Sequence, residues 1–354
     1  MARVLVIGST NVDLAVRVER HPSPGETLSA RTLHTSPGGK GANQALAAAL
    51  SGADVVFAAK VGRGAYADEA PRLLRTSGVD LSRVLVVADP TGMAFITIDD
   101  SGENSIVIVP GANGAWRPED VGTLASAIAD ADAVVCQSEI PAEVVDAVAA
   151  ACRAASTRFV LNLAPVIDVS GETLTSADPL VVNQHEARLA AGALGIAPAD
   201  DDSELVRAVV AADVPSIVLT RGADSTLLAT PDRVDEIASC PVGVVDTTGA
   251  GDAFVGSLVA KLADGADTRD AAATQPPSRP TPSHAPERRS PTDEAERPHR
   301  GQRRWPPRGG TATVERSGVQ EETLRRRAPG RAPCSRFRQV LWRRPSAACR
   351  VVQP

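Results

Sequence analysis

A chain of 354 residues that is 43% hydrophobic has the length and apolar content for one large α/β domain or two smaller ones. No apolar run approaches a membrane span, and the short run at residues 4–7 is too brief for a signal-peptide core, so a cytoplasmic protein with no membrane partner is expected. The net charge of −6 hides a split, because residues 274–354 carry 18 Arg against 7 acidic residues, or +11, which leaves −17 for residues 1–273.

The five cysteines (Cys136, Cys152, Cys240, Cys334 and Cys349) are odd in number and lack metal-like spacing, so reduced thiols are expected. Residues 4–8 read as a central strand, with Ser9-Thr10-Asn11-Val12-Asp13 at its C-terminal end, where open α/β sheets place ligands. Asn11 and Asp13 are two apart and face the same way on extended backbone. They suit adjacent hydroxyls of a polyol, or equally an Asx-type turn. Alternation through residues 14–18 and 27–33 predicts exposed strands.

Glycines then precede a helix at Pro37-Gly38-Gly39-Lys40-Gly41-Ala42-Asn43-Gln44, ahead of the Ala-rich run 45–50. The spacing to Lys40 rules out a Walker-type loop. What remains is a clamp for a polar ligand, or a tight turn with a solvated lysine. Residues 55–61 predict a strand and 67–76 a helix. The segments 84–87, 94–98 and 105–109 are β-rich and joined by turn sequences that favour antiparallel pairing. Together with the strands inside 12–35, they predict a small sheet beside the main domain, a candidate lid over residues 12–35 and 84–110.

From residue 117 the pattern becomes helices (118–129, 141–155, 204–212) alternating with strands (133–137, 159–163, 180–182, 216–220), which predicts a parallel sheet covered on both faces. Polar groups recur at strand ends: Glu139, Asn162, Asn183 with Glu186, and Thr220 with Gly222. Each alone is most often a cap or turn residue. Their shared position along one sheet edge points to ligand binding.

The densest motif is Val245-Asp246-Thr247-Thr248-Gly249-Ala250-Gly251-Asp252-Ala253-Phe254. Phe254, Leu258 and Leu262 recur at helical spacing, so Gly249, Ala250 and Gly251 fall where a helix begins, with free amides and the positive end of the dipole behind them. That is a place for a phosphate. Asp252 beside it suits a base that takes a proton from an attacking hydroxyl, or simply an acidic residue complementing the dipole.

Taken in order, these motifs resemble the ribokinase family of PfkB-type carbohydrate kinases across residues 1–273. The resemblance is carried by Gly8-Ser9-Thr10-Asn11-Val12-Asp13-Leu14, Pro24-Gly25-Glu26-Thr27, Gly38 to Ala45, Gly102-Glu103-Asn104, Pro110-Gly111-Ala112-Asn113, Asn183-Gln184-His185-Glu186 and Asp246 to Asp252. It implies a doubly wound, mostly parallel α/β fold with a β-sheet lid that also forms a dimer surface. It implies transfer of the ATP γ-phosphate to a sugar's primary hydroxyl, with D-ribose favoured over other sugars or nucleosides. By the same resemblance Asp252 is the general base and Gly249, Ala250 and Gly251 form the anion hole. Asn11, Asp13, Gly39, Lys40, Asn43 and Glu139 hold the sugar. Asn183 and Glu186 organise the phosphates and, indirectly, Mg²⁺, while Thr220 and Gly222 lie along the nucleotide. Asp246 and the Thr248 carbonyl belong to a K⁺ site.

The resemblance stops near Ala273. Beyond it, 13 prolines and 18 arginines in 81 residues oppose packed helices. The text of this tail reads as a shifted frame of a GC-rich gene, and an intact frame in resequenced transcripts would rule that out. The family's remaining nucleotide-side helices are then missing, which predicts bared apolar surface on one sheet face and weak ATP binding. Two other readings compete with an active kinase. One is a sugar-binding remnant that no longer turns over, and the other is a nucleic-acid binder acting through the basic tail. The tail has neither a repeat nor interleaved aromatics, so nucleic acid is not expected as a partner.

Overall fold

The structure is a computed structural model that describes residues 2–222, 224–238 and 249–274. Thirteen strands are β1 (Arg3–Ile7), β2 (Asn11–Arg17), β3 (Thr32–Gly38), β4 (Asp54–Val61), β5 (Asp80–Val86), β6 (Gly92–Ile98), β7 (Asn104–Val109), β8 (Ala133–Gln137), β9 (Arg158–Asn162), β10 (Leu180–Asn183), β11 (Ile217–Thr220), β12 (Thr226–Ala229) and β13 (Val234–Ile237). Nine of them form the main sheet in the order β13-β12-β11-β10-β9-β8-β1-β4-β5, and the other four form a second sheet in the order β3-β2-β6-β7. The main sheet is parallel from β5 to β11 and ends in an antiparallel hairpin, β12–β13.

The parallel strands are apolar on both faces because helices cover both. Alternate residues of one strand enter different cores. Leu5, Ile7, Val134, Cys136 and Leu161 pack with Val144, Val145 and Val148 of helix Ala142–Ala155. Val4, Val6, Val135, Val160, Val181, Val218 and Leu228 pack on the other side with helices Lys40–Leu50 and Ala250–Ala263. Burial of each such side chain contributes about 1.5–3 kcal/mol. Val181, Val218 and Leu228 are at most 2% exposed.

The chain leaves β1 and reaches β4 on one side and β8 on the other, which makes the C-terminal end of β1 the switch point of the sheet. After three intervening residues β2 starts the second sheet, so that sheet is rooted at the same point. The predicted lid has two boundary corrections. Residues 84–87 do not belong to it, because β5 pairs parallel with β4 at the edge of the main sheet. Residues 27–30 form no strand, and β3 begins later, at Thr32. The crossover between β4 and β5 explains the first, since a parallel neighbour needs a helical connection and residues 65–76 supply it. The single helix expected over 67–76 is two short helices, Ala65–Glu69 and Arg72–Thr76, separated at Pro71, whose ring cannot sit inside a helix. The helix expected over 118–129 likewise divides into Pro118–Gly122 and Ala125–Asp130, just after a glycine.

Candidate active site

Two helices bring the two glycine-rich motifs together. Helix Lys40–Leu50 begins directly after Gly39, whose φ of 91° is reserved for glycine; a Cβ there would lie 2.8 Å from the Thr10 Cα. Helix Ala250–Ala263 begins after Gly249, which is left-handed at φ 78° and supplies no side-chain cap. Ala250 and Gly251, both exposed, open the first turn, whose amides have no partner within the helix and suit an anion. The helices cross at Gly256, where a Cβ would come 2.4 Å from the Gln44 carbonyl oxygen and 2.5 Å from the Ala47 Cβ.

This crossing places Asp252, only 6% exposed, against the first turn of the other helix. Asn43 Nδ2 donates to Asp252 Oδ2 at 2.9 Å, and Gln44 Nε2 donates to Oδ1 at 3.3 Å. Lys40 Nζ stands 4.0 Å from Oδ1. Each oxygen of this buried carboxylate accepts from a side-chain amide, with an ammonium nearby, which fixes its orientation.

The loop after β1 meets this centre through Glu139, which follows β8. Glu139 Oε2 accepts from Ser9 Oγ at 2.6 Å and from the Lys40 amide at 3.0 Å, so it ties the start of the lysine helix to the switch point. Asn11 and Asp13 alternate with the buried Val12 in β2, as their spacing requires. Asn113 Nδ2 donates to Asn11 Oδ1 at 2.7 Å, and Asn113 Oδ1 accepts from the Thr10 amide at 3.1 Å, which orients the Asn11 amide. The Asp13 carboxylate lies against Gly38, where a Cβ would meet its oxygens at 2.1 Å. The segment bearing Asn113 is riveted to β4 by the buried Lys60. Its Nζ donates to Asp120 Oδ2 at 2.6 Å and to the Ala115 carbonyl at 3.1 Å, and sits 5.2 Å from the centre of the Trp116 ring.

The other predicted residues gather further along the sheet edge. Asn183 ends β10 and caps helix Gln184–Ala193: its side chain accepts from the Glu186 amide, while Glu186 Oε2 accepts from the Asn183 amide. Thr220 ends β11 in register with Asn183, and Gly222 follows at φ 64°. Asn183, His185, Arg188, Thr220 and Gly222 line one open cleft of about 510 Å³. Burial raises the Glu186 carboxyl above its usual value; its capping bond and the nearby Lys40 pull the other way, and the Asp252 charge adds to the rise. The charges of Lys40 and Asp252 thus both act on Glu186, in the first turn of the helix that borders the cleft. Asp246 and Thr248 lie outside the described residues.

Among the described residues, no three His, Cys, Asp or Glu side chains cluster to hold a metal directly. Glu186 still suits a Mg²⁺ held mainly by phosphate oxygens and water, the usual manner for that ion. Motif reading did not single out Ser9, Gln44, Lys60, Asn113, Gln137, Arg188 or Gly256 as individual participants. Gln137 and Asn162 did carry a signal: each is a polar residue ending an otherwise apolar buried strand, in register with the other.

A buried carboxylate beside a glycine-opened helix start, at the switch point of a doubly wound sheet, is the arrangement that phosphoryl transfer calls for. The pfkB family carbohydrate kinase profile matches residues 1–274, and the chain belongs to that family. It is 35% identical over 262 residues to a ribokinase of Staphylococcus aureus, covering 73% of this chain and 86% of that protein. It is 40% identical over 266 residues to the bifunctional ribokinase/ribose-5-phosphate isomerase A of Fructilactobacillus sanfranciscensis, with 74% of this chain matched to 49% of that one, so it spans about half of that relative. The structure of Arabidopsis thaliana ribokinase complexed with ribose and ATP superposes with a TM-score of 0.69 at 31% identity, covering 77% of this chain and 89% of that one. The match to the family ends where the composition changes.

Proposed function

We propose that this chain transfers the γ-phosphate of ATP to the primary hydroxyl of a sugar, D-ribose first among candidates. The observation that carries this reading is Asp252, buried at a helix mouth and held by Asn43 and Gln44 within 4.0 Å of Lys40. Asn11, Asp13, Gly39, Lys40, Asn43 and Glu139 bind the sugar, with paired carboxylate and amide groups suited to vicinal hydroxyls. Asp252 takes the proton from the attacking oxygen as its bond to phosphorus forms. The amides after Gly249, and Lys40, stabilise charge on the transferring group. Asn183, Thr220 and Gly222 receive the nucleotide in the 510 Å³ cleft. Glu186 would be an outer partner of a Mg²⁺ carried by the phosphates, which would offset part of their charge. Asp246 and Thr248 supply the K⁺ site on the strength of their motif alone.

In this reading residues 274–354 replace the family's last nucleotide-side elements through a shifted frame. D-Ribose is expected to give the highest kcat/KM in a panel of pentoses, hexoses and nucleosides, assayed by ADP release with and without K⁺. Titration with a non-hydrolysable ATP analogue is expected to give an affinity weaker than micromolar. A nucleoside or a phosphorylated hexose preferred over ribose would reassign the substrate, and micromolar ATP affinity would refute the nucleotide-side defect. ADP release absent with every sugar, alongside measurable ribose binding, would favour a sugar-binding remnant.

The lid sheet supports a homodimer in a cytoplasmic enzyme. Leu33 is 66% exposed and Val107 63%, with Ile106 and Ile108 also exposed on the same small sheet. Leu33 and Val107 lie on one face of that sheet and Ile106 and Ile108 on the other, and exposed apolar surface of this kind suits a protein contact. Light scattering is expected to report twice the chain mass, and the mass of one chain for Val107→Lys. A monomeric parent protein would refute the dimer.

A further inference from the structure

Behind Asp252 runs a chain of buried amides that the reaction as described does not use. Gln44 and Gln137 are fully buried and Asn162 is 7% exposed. Asn162 Nδ2 donates to the Val181 carbonyl oxygen at 3.1 Å, and Gln44 Nε2 donates to Asn162 Oδ1 at 2.9 Å. The same Gln44 nitrogen reaches Asp252 Oδ1 at 3.3 Å, while Gln44 Oε1 accepts from Gln137 Nε2 at 2.8 Å.

The direction of this chain is forced. A backbone carbonyl can only accept, so Asn162 must turn its nitrogen to Val181 and its oxygen to Gln44. Gln44 must then present its nitrogen to both Asn162 and Asp252. The reverse orientation would set its oxygen against two acceptor oxygens in a buried site, at the full cost of unmade hydrogen bonds. A carbonyl on β10 thereby dictates that Asp252 Oδ1 meets a donor.

We infer that Gln44 is a positioning residue for the proton-accepting carboxylate, holding Asp252 Oδ1 through an amide chain anchored on the Val181 carbonyl. This rests on the reading of Asp252 as the base. The chain orients the carboxylate and disfavours a proton on Oδ1, since an O–H there would face an N–H. Among the described residues, the charged groups that act on Asp252 include Lys40, on the same helix as Gln44 and 4.0 Å away, and Glu186, on helix Gln184–Ala193, whose charge interacts with it. Both are retained in the variants that test the inference.

The test is the kcat–pH profile of the full chain with its best sugar for Gln44→Met and Gln44→Glu. With Gln44→Met, kcat at neutral pH is expected to fall about 10-fold and the acidic limb to move up by about one pH unit, the scale of one lost bond to a charged group. The sugar KM is expected to stay within about 3-fold, because the Gln44 side chain bonds to Asp252, Asn162 and Gln137 and not to the side chains proposed to bind the sugar. Gln44→Glu keeps the shape but brings a second carboxyl to the site, so its acidic limb should move further in the same direction. Should Gln44→Met fail to fold, Gln44→Glu decides alone.

A folded variant whose acidic limb coincides with the parent's overturns the inference, as does a raised KM with unchanged kcat. Asp252→Asn serves as the control. If that variant stays active, the base reading itself fails; if it is inactive while the Gln44 profiles are unmoved, only the positioning role of Gln44 fails.

Discussion

Asp252→Asn is expected to lower kcat by about 10²–10⁴-fold, the usual contribution of a positioned general base, with a much smaller change in sugar KM. The substitution nearly preserves volume, so the 6% exposed position stays filled. It removes the proton acceptor. It also replaces one carboxylate oxygen by an amide nitrogen, which then faces the nitrogen of either Asn43 or Gln44, each now within 3.3 Å of Asp252 as a donor. One of those donors loses its bond to residue 252, at a cost of about 1–3 kcal/mol. Single-turnover rates with saturating sugar and ATP separate the two effects. A variant with a parental single-turnover rate would mean that the carboxylate plays no part in the chemistry.

Gly256→Val is expected to damage stability and activity together. A Cβ at residue 256 would fall 2.4 Å from a backbone oxygen of the facing helix and 2.9 Å from the Ala48 nitrogen, and neither atom can rotate away. The helices must separate, which costs about 3 kcal/mol for an overpacked core and more where backbone is the obstacle. For a domain of this size that corresponds to a fall in Tm of about 6–12 °C. One turn before Gly256 on the same helix stands Asp252, so separation also stretches its bonds to Asn43 and Gln44. A displacement near 1 Å costs on the order of 10²-fold in such a site. Thermal denaturation and kcat/KM measured on one preparation check both halves, and an unchanged Tm would show that the crossing tolerates a side chain.

These two residues illustrate how differently parts of the site could be read from the chain. Asp252 stands in a motif of bare glycines before a helical run, a local pattern with a local meaning, and the helix begins at Ala250 as that pattern requires. Gly256 sits inside the helix with no local reason to be glycine. Its cause is the Gln44 carbonyl, more than two hundred residues away in sequence. Gln44 itself was visible within a motif, yet its partners Asn162 and Gln137 come from two other strands, and only their parallel register sets them side by side. Asn113 orients Asn11 from 102 residues away, which no spacing rule could anticipate.

What the sequence by itself determined was the alternation of strands and helices, the two glycine-rich helix mouths, the ring of polar strand ends and the compositional break at residue 274. All of these depend on interactions between residues near in sequence: hydrophobic periodicity, glycine's access to positive φ, and the orphan amides of a helix start. Only the tertiary structure decided that residues 80–86 join the main sheet instead of the lid, and that the two glycine motifs meet through a crossing without a side chain. It also decided which amide faces which oxygen behind Asp252. Those outcomes are set by packing and by hydrogen-bond direction between segments far apart along the chain, and such information is carried by the folded backbone rather than by any one stretch of residues.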